Sequence, residues 1–186
     1  MNTSAIKLIV FIVATGFLTY VSRKSLRVVS SHGFYRFFAW ESILALILVN
    51  ISVWFYNPFS VQQIASWFIL TSSLVVLGLG FQQFYSMGHP SDMRHDATLL
   101  SLEKTTTLVT SGIYHYIRHP LYASLLFLAW GAFVKDITWY SVCLAAAATI
   151  SLVATAKNEE CECIRYFGSA YEEYMTRTKM FIPYLF

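Results

Sequence analysis

The chain has 186 residues, of which 56% are hydrophobic and only 12% are charged, whereas soluble domains carry roughly 25% charged residues. No Asp, Glu, Lys or Arg occurs between Ser42 and Ser91, which excludes a water-soluble fold because so much apolar chain could not be buried at this length. The net charge of +3 is modest, and we expect no nucleic-acid partner. We predict a single membrane-embedded domain, 1–186.

Five apolar runs follow one another along the chain, and each approaches the roughly 20 residues that a spanning helix needs. They predict an all-α integral membrane protein with helices at about Ala5–Val21, Trp40–Tyr56, Val61–Tyr85, Pro120–Val134 and Ile137–Ala156. Arg23 and Lys24 follow the first run where a signal peptide would have small residues, so we interpret this run as an uncleaved helix. Only Lys135 and Asp136 separate the last two runs, which predicts a helical hairpin.

Two stretches are too polar to span a membrane. Residues 157–179 place apolar side chains at helical spacing, which predicts a cytoplasmic, amphipathic C-terminal helix with a break at Gly168. Residues 86–119 form a polar loop that contains His89, Pro90, Asp92, Arg94, His95, Asp96, Glu103 and Lys104.

The distribution of positive charge predicts the orientation of the chain. Five spans would place eleven of the 13 Lys and Arg residues on one side, and only Lys7 and Lys135 on the other. Because cytoplasmic loops are enriched in Lys and Arg, we expect both polar stretches to face the cytoplasm and the N-terminus to lie outside.

The polar residues capable of chemistry fall at the two cytoplasmic ends of the hairpin. One group runs from Thr110 to Tyr122 and includes Arg118 and His119, and the other is the pair Glu159–Glu160. Pro120 suits the first position of a helix, whose exposed amides favour an anionic group. A mouth with one Arg, one His, two acids and several tyrosines would suit a ligand that is part cation and part zwitterion.

Structural explanations exist for each of these groups. Arg118 and His119 could anchor to lipid phosphates, Glu160 could pair with Lys157, and the tyrosines could belong to the interfacial belt. His32, His89 and His95 are scattered, and the three cysteines have no zinc-binding spacing, so we expect no metal site.

The same residues carry a resemblance to a known superfamily. The sequence resembles the isoprenylcysteine carboxyl methyltransferases and phospholipid methyltransferases over about 108–186. The motif residues are Leu108, Val109, Gly112, Tyr114, Arg118, His119, Pro120 and Tyr122, then Glu159, Glu160, Phe167, Gly168, Tyr171, Tyr174, Ile182 and Pro183.

This resemblance implies an S-adenosylmethionine-dependent membrane methyltransferase. It divides the domain into three N-terminal helices, 1–85, and a cofactor-binding half, 86–186. It implies catalytic roles for Glu160, Arg118 and His119. It implies that the cofactor enters from the cytosol and that a lipophilic small molecule or lipid reaches the site from the bilayer. The cofactor-binding residues that it implies are Leu108, Val109, Gly112, Ile113, Tyr114, His119, Pro120, Tyr122, Glu159 and Glu160.

Three observations keep other functions open. Prenylcysteine methyltransferases usually carry an Arg shortly before the acid pair, and here Lys157 is the nearest substitute. Membrane sterol reductases, which bind NADPH, resemble the same C-terminal pattern but are about twice as long as this chain. A non-catalytic lipid-binding protein would leave the convergence of Arg118, His119 and Glu160 unexplained.

Overall fold

The computed structural model describes residues 3–88 and 106–185. Its helices are α1 (Thr3–Ser22), α2 (His32–Asn50), α3 (Val61–Met87), α4 (Pro120–Lys135), α5 (Trp139–Phe167) and α6 (Ser169–Arg177). Within the described ranges the pairing of extended chain is limited to an isolated parallel bridge between Ile117 and Lys179. The predicted all-α fold is therefore confirmed for the described residues, and His89 and His95 lie outside them.

Four helices, α1, α2, α3 and α5, are long and apolar enough to cross a membrane. The helix α4 begins at the predicted residue, but it has 16 residues and is about 24 Å long at the usual helical rise. This is shorter than the roughly 30 Å of a bilayer core. The prediction of five spanning helices is confirmed for four, and a transmembrane α4 stays a prediction.

The second helix begins eight residues before its predicted start at Trp40, since α2 runs from His32. The Ser31 side chain caps it by accepting a hydrogen bond from the Phe34 N–H, as is typical of an N-cap serine. Arg36, which lies before the predicted start, is 1% exposed and lies over the Trp40 ring at 4.8 Å. The helix can therefore begin ahead of the apolar run, because its charged residue is buried against an aromatic ring.

The end of α4 lies in an apolar region, and its carbonyls are satisfied by side chains of neighbouring helices. Asn50 of α2 donates to the Ala132 carbonyl at 2.8 Å, and Gln63 of α3 donates to the Lys135 carbonyl at 3.1 Å. The Lys135 ammonium donates to Gln63 at 2.9 Å and lies 3.8 Å from the centre of the Trp67 ring. These contacts fix α4 because the last carbonyls of a helix have no partner within it.

The helices pack mainly in two pairs, α3 against α4 and α2 against α5. A buried cluster joins α2, α4 and α5 through Ala39, Ala123, Leu152 and Ala156. Small side chains let helix backbones approach closely in a membrane. This packing brings the start of α4 beside the last turns of α5, as the hairpin prediction requires.

The stretch predicted as a C-terminal amphipathic helix belongs to two helices in the structure, the end of α5 and α6. Residues 157–167 continue α5, and Gly168 then ends it with φ 62° and ψ −140°. The helix α6 buries Tyr171 and Tyr174. After α6 the chain runs beside the start of α4, where Arg118 and His119 donate their backbone N–H groups to the carbonyls of Lys179 and Met180 at 2.8 and 3.2 Å.

Candidate functional site

A cavity lies where the loop before α4, the C-terminal part of α5 and α6 meet. Basic, acidic and aromatic side chains line it together, in a chain whose long helices are otherwise mostly apolar. The lining residues are Phe84, Thr107, Leu108, Val109, Tyr114, Arg118, His119, Pro120, Leu121, Tyr122, Glu159, Glu162, Cys163, Phe167, Tyr171 and Tyr174.

A buried ion pair holds the base of the site. Arg118 Nε donates to Glu160 Oε1 at 2.7 Å, and the two side chains are 9% and 10% exposed. The Arg118 guanidinium also donates to the carbonyls of Met175 and Thr178. Arg118 thus ties the loop before α4 to α5 and to the segment after α6, and its charge is matched by a carboxylate.

His119 lies between the two adjacent acids. Its Nδ1 is 3.0 Å from Glu159 Oε2, and its Nε2 is 3.4 Å from Glu160 Oε1. Burial lowers the pKa of His119, but the hydrogen bonds and charges of Glu159 and Glu160 outweigh it, so the pKa is raised above 6.5. His119 therefore holds more positive charge at neutral pH than an ordinary histidine.

Aromatic side chains form the other walls. The Tyr122 ring stacks on His119 at 5.5 Å between centroids. Tyr174 donates its hydroxyl to the Tyr114 carbonyl at 2.6 Å, which connects α6 to the loop. Burial raises the pKa of Tyr114 and of Tyr171, so both present neutral rings.

The structure brings most of the predicted binding residues to this cavity. Leu108, Val109, Tyr114, His119, Pro120, Tyr122 and Glu159 line it, and so does Arg118. Glu160 lies behind them, and it accepts from Arg118 rather than forming the alternative pair with Lys157, which is exposed.

Two predicted binding residues shape the loop without lining the cavity. Gly112 has φ +61°, and a Cβ on it would lie 2.7 Å from the Gln83 side chain of α3. Ile113 packs against the buried cluster that joins α2, α4 and α5. Both residues lie just before Tyr114, which does line the cavity.

Three polar residues at the cavity, Thr107, Glu162 and Cys163, and one behind it were not predicted as site residues. Glu162 and Cys163 line the cavity, and they follow Glu159 at the i+3 and i+4 spacings that share a helix face, which was the available signal. His32 is fully buried, and its Nδ1 lies 2.7 Å from Glu162 Oε2. Nothing in the sequence pattern connects His32 to α5.

The arrangement is suited to a ligand with both a cationic and an anionic part. Carboxylates and aromatic faces attract a cation, while the start of α4 presents amides that favour an anion. The described side chains also satisfy one another, so the walls of the cavity are held in place before a ligand binds.

Comparisons with known proteins identify the family. The family model "Phospholipid methyltransferase" matches residues 67–170, a range that contains α4 and the acids of α5. A methanethiol S-methyltransferase of Crocosphaera subtropica is 28% identical over 76 residues, which cover 41% of this chain and 29% of that protein. No solved structure matches.

The family match covers more than half of the chain, and four helices have the length and composition to cross a membrane. The predicted membership of this methyltransferase superfamily is thereby confirmed. The chain is an integral membrane protein that belongs to the phospholipid methyltransferase family.

Proposed function

We propose that this protein transfers a methyl group from S-adenosylmethionine to a lipophilic acceptor that reaches the site from the bilayer, as an isoprenylcysteine carboxyl methyltransferase does. The observation that carries the proposal is the contact of His119 with both Glu159 and Glu160 at the wall of an aromatic cavity. The family match supports methyl transfer.

The residues at the cavity fit S-adenosylmethionine. Its sulfonium is a cation that the rings of Tyr114 and Tyr122 can stabilise, by about 1–2 kcal/mol when water is excluded. Its ammonium and hydroxyl groups need acceptors, which Glu159 supplies, and its carboxylate suits the start of α4.

The protein has little chemistry to perform, since S-adenosylmethionine supplies a methyl group that is already activated. The task of the residues is to hold the two reactants in line, which can contribute up to roughly 7–11 kcal/mol. In this proposal Arg118 and Glu160 fix the loop against α5, while His119 and Glu159 orient the bound cofactor. The site faces the cytoplasm, as the charge distribution predicts.

The identity of the acceptor depends on what faces the cavity. Lys157, the substitute for the absent Arg, is exposed on α5 and does not line the cavity. A carboxylate acceptor would therefore lack a cationic anchor at that position. An amine of a phospholipid head group is the second candidate acceptor, in keeping with the name of the matched family.

Calorimetry on the purified protein in detergent tests the choice of cofactor. We expect binding of S-adenosylhomocysteine and none of NADPH. The variant His119→Ala should bind S-adenosylhomocysteine more weakly by about 1–3 kcal/mol, since it leaves polar partners unsatisfied. Glu173→Gln is the control, because Glu173 is exposed and pairs only at the surface with Arg177. Binding of NADPH alone would favour a reductase.

A further inference from the structure

Glu162 and His32 form a second polar pair at the cavity, on the side of α2. Glu162 lines the cavity and its side chain is 19% exposed, while His32 is fully buried behind it. Both carboxylate oxygens are held by the same residue, since the His32 backbone N–H lies 3.1 Å from Oε1 and its Nδ1 lies 2.7 Å from Oε2. An ionised carboxylate only accepts, so Nδ1 carries the proton.

The three acids at the site have different partners. Glu160 accepts from Arg118, which cannot give up its proton, and Glu159 lies 3.0 Å from Nδ1 of His119. Glu162 instead contacts the His32 ring and backbone, and it lines the cavity with a side chain that is 19% exposed. An acid in a cavity that is oriented by a third group has the geometry of a general base.

Glu162 also has a structural use, because it accepts from the first residue of α2 and so caps that helix. A cap needs only the backbone contact at the helix start. It does not explain why the His32 ring is fully buried against the second carboxylate oxygen, which costs desolvation. The second contact fixes the direction of the carboxylate, which matters for an acid that acts on a ligand.

We propose that Glu162, positioned by His32, removes the proton from an acceptor whose attacking atom is an amine nitrogen or a thiol sulfur. The inference rests on the proposed methyl transfer. The acceptor's lone pair forms the new bond to the methyl carbon while the carbon–sulfur bond of the sulfonium breaks and its electron pair stays on sulfur. The proton of the acceptor goes to the Glu162 carboxylate. A carboxylate acceptor has no such proton and needs no base.

The test compares the full-length protein and Glu162→Gln with a labelled methyl donor and three probes. The probes are phosphatidylethanolamine vesicles, a short alkyl thiol, and an aromatic thiol that is already ionised at the assay pH. We expect Glu162→Gln to lower kcat by about 100-fold or more on the amine or the alkyl thiol, whichever the protein uses. The ionised aromatic thiol needs no base, so any turnover on it should be the same in both proteins.

Binding and stability measurements separate this role from a structural one. S-adenosylhomocysteine affinity should be the same in the unmodified protein and in Glu162→Gln, and a loss of affinity would make Glu162 a cofactor ligand and overturn the proposal. His32→Asn keeps an N–H donor near the position of Nδ1, so it should retain most of the kcat that His32→Ala loses. The comparison of His32→Asn with His32→Ala tests the proposal even if Glu162→Gln does not fold.

Two results distinguish this inference from the proposed function. Methylation of a prenylcysteine carboxylate alone, with no activity on the amine or the thiols, would overturn the role of Glu162 and leave the methyltransferase intact. Absence of S-adenosylhomocysteine binding in the unmodified protein would overturn both. Glu173→Gln removes the same charge from an exposed position and should leave kcat unchanged.

Discussion

Each ring nitrogen of His119 lies next to a different carboxylate, and the ring itself stacks on Tyr122. The His119 backbone also caps α4 and accepts the N–H of Ala123 at 2.8 Å. One residue therefore links the start of α4, the end of α5 and the aromatic wall. A change at His119 alters helix packing and ligand binding together, so its effects on stability and affinity have to be measured separately.

The charge of His119 predicts how stability depends on pH. The folded-state pKa lies above 6.5, so the stabilisation is complete below that pH and is lost as the pH rises through the folded-state pKa. We expect the melting temperature in detergent to fall as the pH rises above about 6.5, with about 1.4 kcal/mol for each unit of pKa difference. The variant His119→Gln should lack this part of the fall in melting temperature. An equal pH dependence in the unmodified protein and in the variant would contradict the prediction.

Some residues at the site can be identified from the sequence, and others cannot. Arg118, His119 and Glu160 belong to one spaced motif, and the structure places all three in contact. Glu162 could have been found from its spacing to Glu159 on one helix face. His32 could not, because its contact with Glu162 is made across 130 residues by the packing of α2 on α5.

The apolar runs in the sequence predict the type and the order of the helices. Where each helix begins and ends depends on contacts with residues outside these runs. The start of α2 is set by the Ser31 cap and by the burial of Arg36. The length of α5, 29 residues, includes polar turns that the sequence assigned to a separate helix. Hydropathy cannot anticipate these ends, since it does not record which polar groups find partners.

The junction between α5 and α6 depends on a backbone conformation that only glycine adopts readily. Gly168 has φ 62° and ψ −140°, so Gly168→Ala should cost about 1–3 kcal/mol. It should also weaken S-adenosylhomocysteine binding, because α6 supplies Tyr171 and Tyr174 to the cavity. Thermal unfolding and calorimetry in detergent measure both effects.

Gly78 provides the matched control for this substitution. It lies within α3, and a Cβ on it would meet nothing within 4 Å. Gly78→Ala should leave binding unchanged and should stabilise the helix slightly, by up to about 1 kcal/mol. If the two alanine variants behave alike, the junction does not depend on the conformation of Gly168.

For the whole molecule, the distribution of Lys and Arg predicts which side of the membrane each connection faces. The packing of the helices does not determine this orientation. Eleven of the 13 Lys and Arg residues fall on one side of five spans. We therefore expect the C-terminus in the cytoplasm and Asn57, which lies between α2 and α3, on the opposite side of the membrane. Reporter fusions at these two positions should give opposite signals. The same signal at both would mean an even number of crossings between them, as when α4 does not cross the membrane, whereas opposite signals with the C-terminus outside would mean that the chain is inverted.

The backbone pairing of Arg118 and His119 with Lys179 and Met180 has a consequence for the order in which the protein is made. The loop and α4 leave the ribosome well before residues 178–181 exist, and until then these two N–H groups have no protein partner. A nascent chain can therefore insert its helices before this pairing forms. Synthesis of the last described segment supplies the two carbonyls, so we expect a chain interrupted before it to enter the membrane without the contact that joins the start of α4 to the chain after α6.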